Sequence, residues 1–125
     1  MNRLFVAACC LVAACVPASG GAVAPDTVVL EEFRIAVGSD TVTAGPTTWT
    51  IRNDGDDYHT LVVEDATGDS LAAVGPLAPG QAATLTVDLQ PGRYYLTCRL
   101  VETEDDGTVE DHLDEGMLAS VTVRP

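Results

Sequence analysis

From Asp26 to the C-terminus, apolar and polar side chains alternate in short runs with period two, broken by Gly, Pro, Asn and Asp. Such alternation predicts half-buried β-strands, because successive side chains leave a strand on opposite faces. Val28 and Leu30, then Phe33, Ile35 and Val37, follow this pattern. Trp49 and Ile51 share a face of TTWTIR, Leu85, Val87 and Leu89 a face of the next clear run, and Tyr94, Leu96 and Cys98 a face of RYYLTC. HTLVVED, opening at His59, and MLASVTVRP, with Leu118, Val121 and Val123, supply two more strands. Turn residues separate them: Gly38-Ser39-Asp40, Ala44-Gly45-Pro46, the run Asn53 to Asp57, Pro79-Gly80 and Pro91-Gly92. Ala66 to Pro79 lacks a clean alternation and reads as irregular, with Leu71 and Val74 tucked beneath a loop. No useful window has helical periodicity. About seven short strands in residues 28–125 predict an all-β fold, a Greek-key β-sandwich.

The first residues read differently. MNRLFVAACCLVAAC carries one charge, Arg3, ahead of an apolar run too short to span a bilayer. That is a secretory signal over residues 1–15, and Val12-Ala13-Ala14-Cys15 looks like a bacterial lipobox, which implies cleavage before Cys15 and lipidation of its thiol. Ala22-Val23-Ala24 also fits an ordinary small-x-small site, with Pro25 disfavouring the cut. Residues 16–27 are small and flexible in composition, a tether. The expected location is extracytoplasmic, periplasmic or cell-surface, with membrane contact only through the lipid anchor at Cys15.

Charge narrows the partners. The formal net charge is −13, all six basic residues are arginine, and loss of residues 1–14 takes Arg3 and leaves −14. A phosphate backbone needs cations, so nucleic acid is excluded as a partner. An acidic surface serves solubility and suits a partner with a basic docking face.

The cysteine count brings in chemistry. Of four cysteines, Cys9 and Cys10 fall in the leader and Cys15 is lost or lipidated, so Cys98 is left with no partner for a disulfide. From Val16 onward the only other histidines and methionine are His59, His112 and Met117. Thiolate, imidazole and thioether make up the ligand set of a copper electron-transfer site. His59 opens a strand, Cys98 closes one, and Met117 precedes another; in an antiparallel sandwich such positions meet at one pole. A zinc site from His59, Cys98 and His112 is also chemically sensible. Read as a calcium loop from Glu102, the acidic run has Gly107 in sixth place but Leu113 in twelfth, so that motif fails. Neither histidine has an evident nucleophile with an orienting acid, and the chain is not read as an enzyme.

Three segments resemble the cupredoxin family: Asn53-x-Gly55-x3-His59, Pro91-Gly92-x-Tyr94-x-Leu96-x-Cys98, and His112-x3-Gly116-Met117. The resemblance runs through most of residues 28–125. It implies a Greek-key sandwich holding one type 1 copper, with His59, Cys98 and His112 in the plane and Met117 as the weak axial ligand. It further implies single-electron transfer with a redox protein as partner. One departure stands out: thirteen residues, Arg99 to Asp111, separate Cys98 from His112 where most members have only a few. A longer loop costs little in closure entropy, and a small hairpin around Asp106-Gly107 can bring His112 back. Two alternatives remain at this level: a metal-free cupredoxin-like surface binding module, and a copper delivery or storage protein using the same residues.

Overall fold

The computed structural model describes residues 23–125, and within them every regular element is a strand. They are β1 (Thr27–Glu31), β2 (Arg34–Val37), β3 (Thr41–Thr43), β4 (Gly45–Asn53), β5 (His59–Asp65), β6 (Ser70–Leu77), β7 (Ala82–Leu89), β8 (Gly92–Thr97), β9 (Val101–Thr103), β10 (Val109–Asp111) and β11 (Leu118–Arg124). Four form one sheet in the order β2-β1-β4-β7, and five form a second in the order β3-β11-β8-β5-β6. β9 and β10 pair only with each other. The all-β sandwich expected from the alternation is present.

One core lies between the two sheets. Val28, Leu30, Trp49, Ile51 and Leu89 come from the first sheet, and Leu61, Val63, Tyr94, Leu96, Val121 and Val123 from the second. Tyr94 belongs to it by its ring alone. Its hydroxyl donates to the Gln90 carbonyl at 2.9 Å and accepts from the Gln90 N–H at 3.1 Å, clamping the Pro91-Gly92 turn that starts the strand leading to Cys98.

Three features depart from the sequence reading. There are eleven strands rather than about seven. Two pairings are parallel, β1 with β4 and β11 with β3, because β3 crosses to the second sheet before β4 returns beside β1. Alternation is a local signal and carries no information about a strand's partner or direction. The segment read as irregular contains β6, with Leu71 exposed rather than tucked under a loop. Pro76 near its end masks the strand, and β6 tolerates it because it is an edge with one neighbour only.

β6 bears directly on His59, which opens its partner strand: the pairing slips between His59 and Leu61. Gly75 faces that irregularity with φ +105°, and a Cβ there would lie 2.9 Å from the His59 carbonyl oxygen. Glycine is required on both counts.

Candidate metal centre

His59 is placed by the loop before it. Asn53, fully buried at the end of β4, donates through its side-chain amide to the carbonyls of Asp57 and Leu77, both at 2.8 Å, and accepts from the Gly55 N–H at 2.9 Å. This closes the Asp54–Asp57 turn and delivers His59 to the pole of the sandwich. Cys98 follows β8 directly and is a free, fully buried thiol. The Thr60 N–H donates to its sulfur at 3.3 Å.

The thirteen residues between Cys98 and His112 are folded. β9 and β10 form a hairpin in which Val101 faces Asp111, so the insertion returns to the point where it left. The His112 N–H donates to the Leu100 carbonyl at 3.0 Å and extends that ladder by one bond. Asp111 then caps a single turn of chain, its carboxylate accepting from the Leu113 N–H at 3.0 Å. Met117, also fully buried, donates its N–H to the His112 carbonyl (3.1 Å) and accepts from the Cys98 N–H (3.2 Å). The backbone thus stitches the residues from 98, 112 and 117 to one another.

At this pole the donor atoms of His59, Cys98 and His112 lie within 4.8 Å of one another, and all three residues are buried. The two Nδ1 atoms are 3.1 Å apart, and Cys98 Sγ is 3.6 Å from His112 Nδ1. Bonds of about 2.0 Å to imidazole nitrogen and about 2.3 Å to thiolate place donors sharing one ion roughly 3 to 4 Å apart. The residues present therefore fit a single soft or borderline metal ion.

Glu32, in the β1–β2 turn, completes the arrangement. Its carboxylate accepts from the N–H groups of Asp56 (2.9 Å) and Asp57 (2.7 Å), and its Oε1 lies 2.8 Å from His59 Nε2. Partial desolvation pushes this carboxyl up, but the Asp56 and Asp57 N–H groups and the His59 ring outweigh it and hold the pKa at about 2. An ionised Glu32 accepts from His59 Nε2, so Nδ1 is the ring nitrogen that faces Cys98 and His112. Next to it, the Phe33 ring meets His112 edge-on, with centroids 5.1 Å apart. Sequence reasoning missed both residues. Glu32 and Phe33 sit where strand alternation reads straight through, 27 and 79 positions from the histidines they touch, and no local signal joins them.

A second group adjoins the first. Asp57, Glu102 and Glu110 gather around the other face of His112, with donor atoms again within 4.8 Å of one another. Their crowding reaches Glu104, whose carboxyl is pushed up by the charge of Glu110 first, then by desolvation and by Glu102 and Asp57.

No family model matches the chain, and no curated protein does. Solved structures do. Reduced auracyanin from the photosynthetic bacterium Roseiflexus castenholzii superposes with TM-score 0.61 at 22% identity, over 82% of this chain and 99% of that one. A purple cupredoxin from Nitrosopumilus maritimus gives 0.54 at 18%, over 78% and 98%. Rusticyanin from Thiobacillus ferrooxidans gives 0.54 at 14%, over 78% and 76%. The chain has the cupredoxin fold. Within that fold the hairpin Val101–Asp111 stands outside both sandwich sheets, and Glu102 and Glu110 project from it toward His112.

Proposed function

We propose that this protein is an exported, mononuclear type 1 copper protein that carries single electrons between redox partners. The observation that carries the reading is the convergence of His59 Nδ1, Cys98 Sγ and His112 Nδ1 in a buried pocket, with Glu32 holding the His59 proton on the opposite nitrogen. Rusticyanin, one of the structural neighbours, is a copper protein. Copper held there by His59, Cys98 and His112, with Met117 as a weaker thioether ligand, would supply a one-electron couple and a strongly coloured thiolate bond.

The chain's own contribution is rigidity and exclusion of water. His59 and Cys98 close off strand ends of one sheet, and His112 is held by its Leu100 and Met117 backbone bonds, so the donors stay in place when the charge of the site changes. All four side chains are buried, which keeps solvent away from the thiolate. The Thr60 N–H stabilises negative charge on sulfur. Export and anchoring rest on the leader and on Cys15, which lie outside the described residues; release of the protein from membranes by Cys15→Ser checks that part.

Adding Cu(II) to metal-free protein is expected to produce an intense blue or green thiolate-to-copper band at one ion per chain, absent in Cys98→Ala. Colourless protein with Cys98 still reduced sinks the proposal. Exchange of electrons with a cytochrome on the millisecond scale separates carriage of electrons from copper storage.

A further inference from the structure

The His112 ring lies with its Nδ1 3.1 Å from His59 Nδ1, while Glu32 occupies the far nitrogen of His59. The other nitrogen of the His112 ring, Nε2, faces the carboxylates of the hairpin. That Nε2 is wholly buried and has no hydrogen-bond partner. Glu110 Oε1, 3.4 Å away, is also buried without a partner, and Glu102 Oε2 lies at 3.6 Å. Asp57 closes the group. Two buried polar atoms without partners, His112 Nε2 and Glu110 Oε1, thus share one space with two further carboxylates, an arrangement that a bound cation would satisfy.

We propose that Asp57, Glu102, Glu110 and His112 Nε2 form a second site, for a divalent first-row transition ion, sharing the His112 ring with the inner His59–Cys98–His112 site. Separations of 3.4 and 3.6 Å are long for hydrogen bonds of this type, yet they suit two ligands on one ion with bonds of about 2.0 to 2.2 Å. Three carboxylates with one imidazole are a hard, oxygen-rich set that suits Mn2+, whereas the inner thiolate set suits softer ions. The donors come from two segments, the turn that positions His59 and the hairpin that positions His112, so an ion here ties the hairpin to the sandwich.

Sharing the ring makes the two sites antagonists. An inner ion takes the lone pair at Nδ1 and an outer ion the one at Nε2; holding both requires the ring to release its last proton. Filling either site thus weakens the other by the same factor. This antagonism rests on the inner site being a metal site, whereas the outer site does not.

The test is Mn2+ titration of chelator-stripped protein, followed by loss of the free-ion EPR signal. One Mn2+ per chain is expected, with Glu102→Gln and Glu110→Gln each weakening it at least tenfold. Asp105→Asn, which removes an exposed charge from the same hairpin outside the group, should change the affinity less than twofold. Far-UV circular dichroism checks folding, and Asp57→Asn on the other segment decides the matter if a hairpin variant misfolds. Absence of stoichiometric binding, or equal losses from Asp105→Asn and the three group variants, overturns the site in favour of a diffuse acidic surface. Adding one equivalent of Ag+, a soft ion for the thiolate, should return the free Mn2+ signal; if Mn2+ stays bound while Ag+ binds, the antagonism is wrong and the outer site stands.

Discussion

Glu32 is the residue on which the pole depends, since one carboxylate holds the Asp56 and Asp57 amides and accepts from His59 Nε2. Its pKa is held at about 2, below its ordinary 4.5, so the folded state binds the ionised form more favourably than the unfolded chain does. The resulting stability is fully present above about pH 4.5 and is lost as pH falls toward 2. Asp54, whose hydrogen bond with Arg52 lowers its pKa, adds a loss of the same sign. Urea unfolding of metal-free protein between pH 7 and pH 3 should therefore show declining stability, with a shallower decline in Glu32→Gln. Parallel curves for the two proteins would remove Glu32 from this account.

Among the elements, the β9–β10 hairpin is the one with a life of its own. It joins neither sandwich sheet, and its turn depends on Gly107 at φ +84° and on the Asp106 carboxylate accepting from the Thr108 N–H. Nothing stands within 4 Å of a Cβ built at Gly107, so the cost of a side chain there is purely conformational, about 1–2 kcal/mol. Gly107→Val should speed hydrogen exchange at the Glu104 and His112 amides while leaving the urea midpoint of the sandwich nearly unchanged. A matching fall in global stability would show that the hairpin unfolds only with the rest.

At the scale of the whole molecule, charge is the main unrelieved burden. With 19 acidic residues against six arginines, the formal charge of −13 repels itself at low ionic strength. Metal-free protein should gain a few degrees in melting temperature between about 10 mM and about 500 mM NaCl, as the Debye length shrinks from roughly 30 Å to a few ångströms. A salt-independent midpoint would mean that pairs such as Arg52–Asp54 and Arg99–Glu64 already balance the field.

What the sequence determined by itself is what repeats locally or is rare. Alternation in TTWTIR and RYYLTC placed Trp49 and Ile51 on one face and Tyr94, Leu96 and Cys98 on another, and all are buried. The scarcity of His, Cys and Met singled out His59, Cys98, His112 and Met117 as candidate donors, and the hairpin turn at Asp106-Gly107 was legible from its residues. Only the tertiary structure decided the rest: the two parallel pairings, the strand hidden by Pro76, and the company each histidine keeps. Glu32, Phe33, Glu102 and Glu110 reach His59 and His112 across turns and between separate sheets. A strand's pattern records which side of it faces inward, whereas contacts at the pole arise from how the two sheets and the hairpin are stacked. Such contacts join distant residues with no periodicity to betray them.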